Sequence, residues 1–203
     1  MVGRLRAMSA ARPYHHGNLR RAVLDQAAAV VRDRGASELS LREIAATIGV
    51  THAAPRRYFP GRQDLLDALA VEGFARLGAR LREAVDDSPD HREQLRAFAH
   101  AYLDFTTSEA NLVEVMFAHK HGADGRTVAE SAAAALSPLL QVFRRAQPQR
   151  TLPHHDPERI GTVFLATLQG LAGLVNCGIV PAGQLDELVD DAVATVGRVG
   201  SSG

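Results

Sequence analysis

The side chains best suited to chemistry fall in one short run, GVTHAAPRRYF, residues 49–59. Arg56 and Arg57 stand together there, with Arg42 before them and Arg62 just after. A guanidinium holds phosphate oxygens through paired N–H donors, and it can read a guanine edge in the same way. Thr51, His52 and Ala53 come first, and Ala53 and Ala54 keep that edge slim enough to approach a major groove about 12 Å wide. Tyr58 adds a hydroxyl suited to phosphate. The expected arrangement puts Thr51, His52 and Ala53 toward bases, and Arg42, Arg56, Arg57, Tyr58 and Arg62 toward phosphates. Pro55 fits within the first turn of such a helix, where backbone N–H groups lack partners in any case.

Other reactive groups are scattered. His100, Tyr102 and Asp104 could serve acid–base catalysis, yet His100 and Asp104 at i, i+4 also make an ordinary helix-surface pair. The run His119-Lys120-His121 and the pair His154-His155 lack an acidic or cysteine partner at ligand spacing, so no metal is expected. The single cysteine, Cys177, excludes an internal disulfide framework and a multi-cysteine metal site. No GxGxxG, Walker, HExxH or GxSxG pattern occurs. The expectation is no catalytic residue and no cofactor. A small-molecule-binding enzyme is the rival class, and a nonspecific DNA-binding protein the third.

A frame must position the 49–59 run, and the chain reads as almost wholly helical. Apolar residues recur at three- and four-residue spacing, with no sustained alternation. The first helix is expected over about 18–34, with Leu19, Val23, Ala27 and Val30 inward and Gly35 as its stop. For the second, Ser40 is placed to cap, Glu43 to close a capping box, and Leu39 to staple onto Ile44. Gly49 ends it after two turns. Thr51 then caps a third helix, terminated at Phe59-Pro60-Gly61. Two short helices about a Gly-Val-Thr turn make a helix-turn-helix. Further helices are expected over about 64–86, 89–108, 111–117, 125–146 (bent at Pro138), 156–178 and 183–196.

Length, charge and hydropathy set the class. At 203 residues, 46% of them hydrophobic and 23% charged, the chain suits a soluble globular fold. Net charge is zero but unevenly spread: residues 1–64 hold 11 Arg against 5 acidic residues, and the remainder is correspondingly acidic. A basic first third is expected to meet a polyanion. Residues 160–185 carry no charge, yet threonines, Gln169, Asn176 and several glycines interrupt them, so a buried or interfacial helix is expected rather than a membrane span. The N-terminus has no apolar signal core, so a cytoplasmic location is expected.

The segment SLREIAATIGVTHAAPRRYFPGRQDLLDAL, residues 40–69, resembles the DNA-binding motif of the TetR family of bacterial transcriptional repressors. Ala45, Gly49, Val50, Thr51, Tyr58, Phe59, Pro60, Leu65 and Leu66 carry that likeness. YHHGNLRRAVLDQAAAVV, residues 14–31, resembles one subgroup of the family, as do AYLDFTTSEANLVEVMF and FLATLQGLAGL further on. Departures are Arg56 at a usual tyrosine, Arg62 at a usual lysine, Gln63 at a usual glutamate, and Gln169 where the subgroup often has histidine. The resemblance implies an all-α chain. Residues 1–63 would form a three-helix DNA-binding domain with 1–13 as a disordered arm, and 64–203 a larger ligand-binding bundle that dimerises. It also implies a ligand-responsive repressor that binds a palindromic double-stranded DNA operator as a homodimer.

Two further sets of residues are assigned on this basis. Phe74, Phe98, Tyr102, Met116, Phe117, Phe143 and Phe164, with Gln169 as a polar contact, are candidates to line the cavity of a small, largely apolar effector, although each taken singly is more often plain core. The uncharged helix and the last helix supply a candidate dimer seam in Leu168, Leu171, Leu174, Val175, Leu188, Val189, Ala192 and Val193. Gly170, Ala172 and Gly173 would permit close approach there, although an ordinary intramolecular core helix has the same pattern.

Overall fold

The computed structural model describes residues 16–85, 90–118, 125–146 and 156–198. The 1–13 arm, the His119–His121 run and His154-His155 lie outside them. Among the described residues there are eight α-helices and no strand, and no helix is long and apolar enough to cross a membrane.

Helix α1, His16–Arg34, buries Val23, Leu24, Ala27, Val30 and Val31 along one stripe. Gly35 stops it at φ +83°, a left-handed conformation that costs glycine nothing. A 3-10 turn, Ala36–Glu38, leads into α2, Leu41–Thr47. Both ends of α2 follow from local sequence. Ser40 Oγ accepts the Glu43 N–H at 3.4 Å, which is the serine half of the expected box, and Leu39 and Ile44 are both buried. At the other end Gly49 is left-handed at φ +74°. The Val50 N–H returns to the Ala45 carbonyl at 2.9 Å and the Gly49 N–H to Ala46 at 3.2 Å, a Schellman closure.

The expected third α-helix is not one. Residues 52–54 form a turn and only Pro55–Arg57 are helical, in 3-10 geometry. Proline explains the difference. Pro55 has no N–H to give the Thr51 carbonyl, and its ring crowds that position. The Ala54 N–H takes the Thr51 carbonyl instead, at 3.0 Å, and tightens the turn.

Helix α3, Arg62–Ala84, begins with the Asp64 carboxylate accepting the Gly61 N–H at 2.7 Å. Its first turns bury Leu65, Leu66, Leu69 and Ala70 in a core shared with α1, and Phe74, Leu77 and Leu81 carry that core into the second bundle. There α4 (His91–Ser108), α5 (Ala110–Met116), α6 (Gly125–Ala146), α7 (Pro157–Asn176) and α8 (Leu185–Arg198) assemble around α3 and α4. Helix α8 shows which force dominates its docking. Its Arg96–Asp190 pair, at 2.7 Å, is half exposed, and such pairs contribute at most about 1 kcal/mol. Val189, Ala192, Val193 and Val196 are buried, and each buried valine contributes roughly 1.5–3 kcal/mol. The apolar stripe holds the helix.

The tightest crossing joins α3 to α6. A Cβ on Gly78 would lie 2.9 Å from Ala135 Cα, so backbone meets backbone there. One turn further along α6, Pro138 cannot donate to the Ala134 carbonyl, and the Ser137 hydroxyl takes it at 2.9 Å. Gly73 is also crowded, but by the flexible Met116 side chain, 2.6 Å from its notional Cβ. Gly78→Ala should therefore destabilise the fold by about 1–3 kcal/mol through overpacking. Gly73→Ala should cost less, because the atoms in the way belong to an unbranched Met116 side chain that adapts more readily than backbone, and the helix gains about 1 kcal/mol of propensity. Urea unfolding of the two variants gives the comparison, and equal losses would contradict this reading of the crossing.

Candidate nucleic-acid interface

The 49–59 run is oriented by two inward residues four apart. Pro55 is buried in a 3-10 turn that packs against α1 and α2, and Phe59 just after it is 2% exposed. With those faces inside, Thr51, His52, Ala53, Arg56 and Arg57 are exposed, and Tyr58 is half-buried. Arg42 is exposed on α2, with its buried neighbours Leu41 and Ile44 turned away. Small residues, a histidine and two guanidinium groups are thus exposed together along one short run. A peptide edge of this kind suits a groove lined by phosphates.

Not every arginine of the set is equally free. Arg56 folds back over its own turn, its Nη1 donating to the Pro60 carbonyl at 3.4 Å. Arg62 donates to the Ala36 carbonyl, tying the start of α3 to the turn after α1. Five N–H donors leave both with donors to spare, but Arg62 has a structural partner that its sequence position does not reveal. The structure also adds a residue. The guanidinium of Arg20, exposed on α1, lies 5.5 Å above the Phe59 ring. The Phe59 anchor therefore also holds a cation beside the edge. Arg21 next to it is engaged instead by Asp25 at 2.8 Å and Glu72 at 3.1 Å.

The candidate effector residues are packed in pairs. Phe74 and Phe117 meet edge to face at 5.3 Å, and Phe143 and Phe164 do so at 6.1 Å. Phe98 and Tyr102 lie nearly parallel at 6.3 Å. Met116 is buried against Gly73. The Tyr102 hydroxyl donates to the Gln169 side-chain carbonyl across α4 and α7. Burial holds the Tyr102 phenol well above its ordinary pKa, so it stays a neutral donor. All of these residues are buried except Phe117 and Gln169, which are half-buried.

The candidate seam residues divide. Leu168, Val189, Ala192 and Val193 are buried within the chain's own core, where they back the α7–α8 face. Leu171, Val175 and Leu188 are half-buried, and Leu174 is 39% exposed. Outward on the same helix lie Val163, 60% exposed, and the open glycines Gly170 and Gly173. A cleft of about 500 Å³ runs between α7 and α8, lined by Ile160, Val163, Leu171, Leu188 and Val196 among others, with Arg159 and Asp191 also on its wall.

Residues 23–69 match the family model for bacterial regulatory proteins of the tetR family. Residues 95–196, half of the chain, match the tetracyclin repressor-like C-terminal domain. Among solved structures, a protein of unknown function from a Rhodococcus species is 36% identical with a TM-score of 0.84, over 95% of this chain and 100% of that one. The TetR family transcriptional regulator PfmR from Thermus thermophilus shares the fold at 19% identity and a TM-score of 0.66, over 89% of this chain and 99% of its own. The nucleoid occlusion factor SlmA of Vibrio campbellii is 28% identical over 85 residues, 42% of this chain. That match spans less than half of SlmA, 43% of its length.

Proposed function

The chain belongs to the tetR family of bacterial regulatory proteins, a transcriptional regulator with a DNA-binding N-terminus, and we propose that it acts as a homodimeric repressor of a palindromic operator, released by a small effector. The observation that carries this reading is the burial of Pro55 and Phe59, which turns Thr51, His52, Ala53, Arg56 and Arg57 outward together. Thr51, His52 and Ala53 meet bases. Arg42, Arg57, Arg20 and Tyr58 meet phosphates, and Arg56 and Arg62 support the edge while keeping spare donors for phosphate. The YHHG-type subgroup is the part of the family to which we assign it.

Pairing follows from the α7–α8 face. Val163, Leu171, Leu174 and Leu188 leave apolar area open beside Gly170 and Gly173, where a second copy can approach closely. A two-fold pair of reading heads then matches a palindromic site. The effector enters among the paired aromatics near Tyr102 and Gln169, a region whose polar pair favours a neutral, largely apolar molecule. Such a molecule releases DNA only if it binds the wrongly spaced state better, and about 3 kcal/mol of preference gives roughly a hundredfold effect.

Substitutions separate the two kinds of DNA contact. Arg57→Ala should weaken binding to all duplexes alike and reduce the salt slope by about one. His52→Ala should instead shift preference at one base position, by roughly 1–3 kcal/mol if the contact is direct. Unchanged affinity in both variants would remove the assignment. The effector is tested separately, by titrating DNA-bound protein with neutral aromatic compounds. Wild type should release DNA with at least one of them, and Phe117→Ala should keep its DNA affinity but lose the response. A normal response in Phe117→Ala, or none in wild type, would leave the aromatics as core alone.

A further inference from the structure

Three polar contacts converge where α4 breaks into α5, and each arrives from a different helix. The last turn of any α-helix leaves carbonyls without intrahelical donors. At the end of α1, the Gly35 N–H takes the Val31 carbonyl at 2.8 Å, and Asn111 Nδ2 donates to the Arg32 carbonyl at 2.9 Å. At the end of α4, the Glu109 N–H takes the Phe105 carbonyl at 3.0 Å, and Asn176 Nδ2 donates to the Thr106 carbonyl at 3.2 Å. Arg32 and Thr106 hold the same place, third from last in their helices. Two side-chain amides from distant parts of the chain thus complete two helix ends.

The backbone that carries each amide is closed by local bonds. Asn176 is the last residue of α7, closed by Gly178 at φ +75°; the Gly178 N–H returns to Val175 and the Ile179 N–H to Leu174, both at 2.9 Å. Asn111 sits in the first turn of α5, where the Leu112 and Val113 N–H groups share the Glu109 carbonyl at 2.9 and 3.0 Å. Glu109 between them flanks both helices and pairs with Arg76 of α3. Arg76 and Arg80 also lie over the buried Phe105 ring, at 5.8 and 5.4 Å.

We infer that Asn176 and Asn111, joined through the backbone of the 106–111 turn that Glu109 ties to α3, form a polar strut that carries the position of the α7 end to the end of α1, in parallel with α3 itself. A hydrogen bond constrains direction as well as distance, so the strut fixes the angle at which α1 leaves its last turn. That turn continues through Gly35 to Ala36, whose carbonyl holds Arg62 at the start of α3. A shift at the elbow therefore reaches both flanks of the helix-turn-helix. Asn111 and Asn176 are positioning residues, since each bonds to the end of a helix and neither belongs to the reading edge.

The inference rests on DNA binding and needs no effector. Duplexes are first selected from a random pool by the wild-type chain; failure of that selection would count against the DNA-binding reading itself. Asn111→Ala, Asn176→Ala and the double variant are then compared on those duplexes, with thermal unfolding recorded for each. Each single variant should lose between about two- and thirtyfold in affinity, with base preference and salt slope unchanged. The double variant should fall no further than the weaker single, because both cut one strut. Losses that multiply, or singles that bind like wild type, would overturn the proposal. If Asn111→Ala does not fold, Asn111→Asp keeps the shape without the donor and takes its place.

Discussion

The reading edge depends on Pro55 and Phe59 lying inside. Burying the proline of a 3-10 turn and the aromatic ring just after it leaves Arg56 and Arg57 between them, and Thr51, His52 and Ala53 before them, exposed to solvent. The missing N–H of Pro55 also sets the tightness of the turn, by handing the Thr51 carbonyl to Ala54. Phe59 has a second role. Its face is capped by Arg20, so the same ring anchors the edge and steadies a cation beside it. The groups proposed to face bases and phosphates are thus placed by apolar packing rather than by bonds among themselves.

Behind the edge, the two bundles share one apolar core, and α3 runs through both. Its crossing with α6 at Gly78 is backbone against backbone, a contact with little give. Polar contacts supplement it where helix ends meet: Arg62 on the Ala36 carbonyl, Asn111 on Arg32, Asn176 on Thr106. These contribute direction, whereas burial supplies most of the stability. The separation matters for a regulator, since weak directional contacts can be remade without unfolding the core.

Local signals are legible in the sequence, and long-range ones are not. Ser40 and Gly49 mark the ends of α2 because capping depends on residues within one turn. Asp90 and Asp156 begin α4 and α7 for the same reason, accepting N–H groups two residues on, at 2.8 and 3.0 Å. The third helix departs from expectation because Pro55, a residue that a first helical turn tolerates, here leaves the Thr51 carbonyl to the Ala54 N–H and tightens the chain into a turn instead. Arg20 over Phe59 and Asn111 on Arg32 join residues far apart in sequence, so no spacing announces them. The apolar stripe of α7 and α8 is evident in the chain, but periodicity does not say what covers it. Leu168 and Val193 prove to face the chain's own core, while Val163 and Leu174 stay open.

If one two-fold axis relates a pair of reading edges, a footprint on duplexes selected by the wild-type chain must show it. Two protected stretches should appear on one face of the duplex, related by inverted sequence and centred about 34 Å apart or a multiple of that distance. A single protected half-site, or uniform protection without a repeated sequence, would contradict the pairing of the edges.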